Sequence, residues 1–391
     1  MMKDARGQLF FLALFRTSRS IAAGMITIAF PYLVLRYRHY SPLQLGLLYT
    51  SAAVSTAFLG LLFGFLADVW GRGKTLFLVG LLLPLSSALV FLSSRLPVLF
   101  VATSLGGYSA TGSLMTGGIG GAAQPIQNAV IADLTTSENR TFYFSILTFL
   151  SGLSGAFGAL LARHGEVRHI FLWATIISGS GLIFLAFINT ANVRGSLRRL
   201  HSKIVIGKFT VTGMLNGFTQ GLVVPFLIPF FVIVYHVPKS EMAVYAFASG
   251  MLAAFALLAA PRLEQGLGFV KSIAVTRGLG TVLLLLLPFC HIYAVALIIY
   301  LLTPALRVTA VPVQQTALTE MVNQDELGRA LGINQVARLG ASSGGITLTG
   351  YLFNISDIAM PFCIYAVVMA ANILLYFRFF HKSYGRDLNK G

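Results

Sequence analysis

Acidic residues are scarce in this chain. Twelve Asp and Glu stand against 28 Lys and Arg, and all charged residues together make up 10% of 391. Average chains carry about 25%, so an ordinary soluble protein is excluded. Cysteine is nearly absent as well. Cys290 and Cys363 both fall inside apolar runs, where they read as small packing residues rather than a disulfide or a metal pair. An enzyme buried in a membrane would need a nucleophile, metal ligands or paired acids at one depth, and no such cluster is evident. No catalytic residue, metal or cofactor is expected.

Apolar residues fill the space that charge leaves: 56% of the chain is hydrophobic. A helical span needs roughly 20 apolar residues at 1.5 Å rise. Twelve such runs are predicted, near 8–35, 42–67, 75–94, 97–132, 141–162, 169–189, 205–235, 241–260, 270–290, 292–320, 329–353 and 358–380. Barrel strands are excluded, because they alternate polar and apolar residues over about ten positions. The first run is too long for the apolar core of a signal peptide, and no cleavable leader is expected.

The net charge of +16 has two readings, nucleic acid or membrane topology, and its distribution favours the second. With the N-terminus inside, the inner loops hold Lys3, Arg6, Arg72, Lys74, Arg140, Arg194, Arg198, Arg199, Lys203, Lys208, Arg262, Lys271, Arg329, Lys382, Arg386 and Lys390. The outer loops hold only Arg36, Arg38, Arg95, Arg163, Arg168 and Lys239. That asymmetry is the positive-inside pattern. It predicts a multi-pass cell-membrane protein with both termini cytoplasmic, a lipid bilayer as its surroundings and no nucleic-acid partner.

The chain also repeats itself. Pro125-Ile-Gln-Asn-Ala-Val-Ile-Ala-Asp133 matches Pro312-Val-Gln-Gln-Thr-Ala-Leu-Thr-Glu320, and Pro31 matches Pro229. Two halves follow: 1–193, a linker at 194–204, and 205–391. The spacing is 198 for the first proline pair (31 to 229) and 187 for the second (125 to 312), so the first half holds 11 extra residues. The glycine-rich stretch Gly106–Pro125 is where they are expected. It reads either as an unwound part of helix four or as an enlarged connection between helices three and four.

One short hydrophilic break, Gly64-Phe-Leu-Ala-Asp-Val-Trp-Gly-Arg-Gly-Lys74, packs an acid, a glycine and two bases between two spans. Asp68, Gly71, Arg72 and Lys74 resemble the signature loop of the major facilitator superfamily, and Glu264–Lys271 keeps a faded copy. The resemblance to drug/proton antiporters rests on this loop only, since the Gly-Pro pair expected in helix five is missing. The family resemblance implies an all-α membrane fold of twelve helices in two pseudo-symmetric six-helix halves. It further implies a secondary transporter working by alternating access, and a monomer. Its first, fourth, seventh and tenth helices would line a cavity, with the second, fifth, eighth and eleventh beside them. Carried over, it also implies a cytoplasmic gate of Asp68, Gly71 and Arg72, joined by Asp133, Arg140, Glu320 and Arg329. A proton or another counter-ion is admitted as coupling species, and neither is chosen.

Charged groups inside spans are costly, about 2.5–3.5 kcal/mol each on insertion scales, and mark function. Arg16, Arg19, Arg307 and Arg338 sit within spans on helices the resemblance assigns to the cavity, whereas the acids cluster at helix ends and in turns. A cavity rich in Arg and free of acids suits an organic or inorganic anion. The alternative is structural arginines bonding helix carbonyls. Asn216 and Gln220 share a face, as do Asn334 and Arg338, and with Gln335 they extend the expected substrate site. Arg277 reads as structural. The competing functional reading is a drug or amphiphile exporter, for which 31 Phe and 14 Tyr would supply an apolar cavity.

Overall fold

The computed structural model describes residues 2–108, 123–135, 139–188, 202–322 and 327–380. These form fourteen α-helices. In the first half they are α1 (Met2–Tyr32), α2 (Pro42–Trp70), α3 (Arg72–Leu92), α4 (Leu96–Gly106), α5 (Gln124–Leu134), α6 (Arg140–Leu161) and α7 (Val167–Gly181). The second half has α8 (Lys203–Val223), α9 (Leu227–Val234), α10 (Lys239–Leu267), α11 (Phe269–Leu286), α12 (Tyr293–Met321), α13 (Leu327–Asn354) and α14 (Met360–Phe380). Ten segments are long and apolar enough to cross a bilayer. The remaining two crossings are the interrupted pair α4–α5 and the more polar α13. Side chains such as Phe58, Leu61, Phe65, Val367 and Leu374 stand exposed around the bundle, a belt that only lipid would tolerate.

The internal repeat is visible in the backbone. Gly71 ends α2 at φ 93° and Gly268 ends α10 at φ 76°, a conformation that only glycine adopts without strain. They lie 197 residues apart (71 to 268), and so do the starts of α4 and α12 (96 to 293). From α5 onward the spacing is 187: α6 begins at Arg140 and α13 at Leu327. Helix pairs obey the same register. A Cβ on Gly158 of α6 would collide with the carbonyl of Ile21 on α1, and one on Gly345 of α13 with that of Phe218 on α8. Small residues thus bring α1 against α6, and α8 against α13, at backbone contact.

The change of spacing places the surplus. Leu96–Leu134 takes 39 residues for one crossing where unbroken α12 takes 29. The difference is ten, against the eleven expected from the prolines. The connection between α3 and α4 is only Ser93–Arg95, so the enlarged-connection reading is overturned. α4 instead stops after 11 residues at Gly107 in the left-handed region (φ 61°). Eleven residues rise about 16 Å, about half the apolar thickness of a bilayer. Residues 109–122 themselves lie outside the described ones.

The two halves meet unevenly. The end of the bundle that carries Met2 and Phe380 is here the terminal end, and the opposite one the distal end. Distally, one apolar core unites both halves, from Phe30, Tyr49 and Phe171 to Phe226, Phe231 and Phe362. Toward the terminal end the core divides. Leu12, Phe15, Leu76 and Val130 belong to a cluster of the first half alone, and Ile206, Phe209, Ile273 and Tyr376 to one of the second half alone.

Hydrogen bonds follow the same division. Tyr32 donates to the Val237 carbonyl at 2.7 Å, and Arg36 to the Val232 carbonyl at 3.0 Å. Lys239 donates to the carbonyls of Ala162 (2.6 Å) and Gly165 (2.9 Å). These acceptors lie at or just beyond the C-terminal ends of α9 and α6, where helix carbonyls lack intrahelical partners and favour cations. Deeper, Thr50 bonds Thr347 at 2.8 Å. All of these bonds between halves lie in the distal part of the bundle.

One tight point of this seal is Gly46 of α2 against Gly350 of α13, where a Cβ on Gly46 would lie 2.8 Å from the other Cα. Overpacking such a contact costs about 1–3 kcal/mol. Gly350→Leu is therefore expected to open the distal end. In a chain with Cys290 and Cys363 replaced by serine, a thiol at position 50 (Thr50→Cys) should react severalfold faster with a membrane-impermeant maleimide once Gly350→Leu is added. An unchanged rate would contradict the seal.

Candidate functional site

Among the described residues, five arginines lie in the interior of the crossings, and their partners divide them. Arg19 is 2% exposed. It donates from Nη1 to the Gly80 carbonyl of α3 at 3.1 Å, and its guanidinium lies 5.5 Å from the Phe15 ring. Arg277 is likewise enclosed. Its Nη1 donates to Asn372 Oδ1 (3.0 Å), its Nη2 to Gln314 Oε1 (2.8 Å), and the Tyr376 ring lies 5.0 Å away. Asn372 passes the chain on by donating to the Thr212 carbonyl at 2.7 Å. One guanidinium thereby ties α11, α12, α14 and α8 together.

The other three have open valences. Arg307 is half-buried at the midpoint of α12, fourteen residues from either end, and makes no hydrogen bond among the described residues. It lies within electrostatic reach of Tyr365, Arg277 and Arg338. Arg338, half-buried on α13, donates among the described residues only to Gln335 of its own helix, from Nη2 at 2.8 Å. Arg16 is 3% exposed and donates from Nε to Ser151 of α6 at 3.3 Å, while its Nη1 has no partner among the described residues.

The repeat relates these residues. Position 213 corresponds to Arg16 and position 216 to Arg19 by the 197 spacing, and Gly80 corresponds to Arg277. By the 187 spacing, Ser151 corresponds to Arg338. Arg16 on α1 therefore bonds the residue whose counterpart is Arg338, and Arg19 bonds the one whose counterpart is Arg277. Each half holds two buried or half-buried guanidiniums at matching contacts, supplied from opposite helices.

Among the polar neutral residues, Asn216 and Gln220 on α8 make no side-chain hydrogen bond among the described residues. Asn334 is engaged, donating to the Phe209 carbonyl at 2.7 Å. Gln335 accepts from Arg338 and holds it along α13. The roles of Gln314, Asn372 and Tyr376 are not predicted from sequence. Their only sequence signal is that Asn372 and Tyr376 share a helix face, which says nothing of the arginine they meet.

At the terminal end, Arg72 pairs with Asp133 of α5, at the foot of the same half, and also donates to the Ala129 carbonyl at 3.4 Å. Both side chains are partly exposed, so the pair contributes about 0–1 kcal/mol. Gly71 makes the turn already described. The side chains of Asp68, Arg140, Glu320 and Arg329 lie outside the described ones, and with them the cross-half part of the expected gate.

Twelve crossings in two related halves, sealed together at one end and parted at the other, with polar residues on facing helices, define a membrane transporter of the secondary type. The chain belongs to the Major Facilitator Superfamily, whose family model matches residues 12–345. It is a transporter and not an enzyme. Solved structures agree on the fold. A mutant form of the nucleoside transporter NupG superposes with a TM-score of 0.76 at 10% identity, covering 95% of this chain and 100% of that one. A D-xylose-proton symporter gives 0.72 at 17%, covering 96% and 97%. The human organic anion transporter MFSD10 (TETRAN) gives 0.71 at 14%, covering 95% and 99%. At such identities the likeness carries the fold alone. No curated protein matches the chain.

Removing Arg277 tests the division between arginines. Arg277→Leu leaves Asn372 Oδ1 and Gln314 Oε1 unpaired, and hydrogen bonds to charged groups contribute about 1.5–3 kcal/mol each. A loss of about 3 kcal/mol is expected, read as a clear fall in melting temperature of the purified protein. Arg338→Gln should melt close to the parent. Equal melting of all three proteins would refute the assignment.

Proposed function

We propose that this transporter carries an anionic solute, held at mid-depth by Arg307 and Arg338. The observation that supports this most is the difference in partners. Arg307 has no bond among the described residues and Arg338 has one, to its own helix. A charge at that depth costs about 2.5–3.5 kcal/mol on insertion scales, and an incoming anion would offset it. Guanidinium forks match carboxylate, phosphate and sulfate oxygens bidentately.

In this reading Asn216 and Gln220 of α8 add neutral donors across the same cavity, and Gln335 aims Arg338. Arg16, with its open Nη1, is the contribution of the first half. Arg19 and Asn334 hold helices together through the Gly80 and Phe209 carbonyls. The protein is placed in the cell membrane with both termini cytoplasmic, as the Lys and Arg asymmetry supports. The distal seal is then the outer gate, and the solute enters the parted halves from the cytoplasmic side. Arg72, Asp133 and the neighbouring Asp68, Arg140, Glu320 and Arg329 form the inner gate.

The test is a ligand screen by thermal shift on purified protein, because a ligand stabilises the state it binds. Benzoate and phenyl phosphate should stabilise, and tetraphenylphosphonium should not. Arg307→Gln or Arg338→Gln should weaken anion binding about 10–100-fold, the equivalent of about 1.5–3 kcal/mol. Stabilisation by the lipophilic cation alone would favour the drug-exporter reading and end this one.

A further inference from the structure

Charge balance around Arg307 says more than "anion". Three guanidiniums, Arg277, Arg307 and Arg338, lie within electrostatic reach of one another in the second half. Among the described residues, no acid of that half sits at their depth. Glu241 is in the first turn of α10 and bonded by Tyr245, and Asp357 caps the Met360 amide, both at the distal end. Glu264 and Glu320 occupy the last turns of α10 and α12 at the other end. In the first half, Asp133 is at the terminal end with Arg72, and Glu166 is at the distal start of α7.

The three cations are not equivalent. Arg277 has both terminal nitrogens committed to Asn372 and Gln314 and a face on Tyr376, so it contributes field without being free for contact. Gln314 lies seven residues beyond Arg307, on the same face of α12, and this brings the Arg277 charge toward Arg307. Among the described residues, Arg307 keeps all its N–H donors, and Arg338 all but the one given to Gln335. Together they offer about nine N–H groups, at five per guanidinium. A carboxylate has two oxygens and about four lone-pair sites. A monoanion would leave two of the three positive charges uncompensated and most donors unmatched.

We infer that the site is built for a compact divalent head group, a phosphate monoester or its phosphonate equivalent, bridging Arg307 and Arg338. The inference rests on the anion reading above and narrows it. Three oxygens on one centre answer two forks at once, and two negative charges offset the two guanidiniums in contact. A soluble organophosphate and a phosphatidate lipid both carry that head.

The decisive comparison uses the unmodified full-length protein in phosphatidylcholine nanodiscs. Phenyl phosphate and benzenesulfonate each present three oxygens on one tetrahedral centre and differ by one charge, and benzoate and succinate complete the panel. At pH 8 phenyl phosphate should bind at least about tenfold more tightly than benzenesulfonate or benzoate. Succinate, whose charges lie apart, should bind no better than benzoate. A phosphate monoester takes a proton near pH 6, so at pH 5 the preference over benzenesulfonate should vanish. Benzenesulfonate keeps its charge at both values and reports any titration of the protein. Arg307→Gln should remove the pH 8 preference.

Short-chain phosphatidic acid distinguishes the sources. Tight binding of it with phenyl phosphate binding in parallel supports a soluble ester, and tight binding of the lipid alone supports the bilayer as source. Equal affinity for phenyl phosphate and benzenesulfonate at pH 8, both lost in Arg307→Gln, would overturn the divalent head and leave the anion reading intact. Failure of every anion to bind would remove both.

Discussion

A guanidinium inside an apolar bundle must be satisfied by the protein or by something the protein binds, and this requirement organises the molecule. Lipid surrounds these crossings, so an unpaired N–H enclosed within them keeps most of its desolvation cost. Arg19 and Arg277 meet the requirement internally, one through the Gly80 carbonyl and the Phe15 ring, the other through Asn372, Gln314 and Tyr376. Among the described residues, Arg307 and Arg338 do not. The arginines therefore differ in their partners, not in residue type.

The seams that hold these arginines exist because backbones touch. α1 against α6 and α8 against α13 approach at glycines in matching register, and no apolar driving force between helices would achieve that in lipid without close packing. Rigid helix pairs of this kind let each half move as a unit. What joins the two units is distal: Tyr32, Arg36 and Lys239 donate to backbone carbonyls of the opposite half, and a single apolar core lies beneath them. Toward the terminal end each half keeps its own core. That asymmetry is the geometry of one state in an alternating cycle.

The interrupted helix four belongs to the same picture. Its counterpart α12 crosses without a break and carries Arg307 at its midpoint. The first half replaces that midpoint with the glycine-rich stretch, so the two halves differ most where their cavity helices are equivalent. Divergence at that place makes a pseudo-symmetric scaffold asymmetric, with Arg307 on one side only.

Much of this was legible along the chain. The twelve spans follow from hydropathy, because a bilayer imposes a fixed length of apolar residues. The repeat and its surplus near Gly106–Pro125 follow from proline and glutamine landmarks, and the signature loop from Asp68, Gly71, Arg72 and Lys74. Those features are local or periodic, and local patterns survive in one dimension. Only the tertiary structure could separate Arg19 from Arg307 and Arg338, name the side chains that hold Arg277, end α4 at Gly107, and show the halves sealed at the distal end. Each of these depends on which backbone carbonyl or amide stands opposite a side chain across residues as far apart as Arg277 and Asn372, and sequence spacing carries no record of that distance.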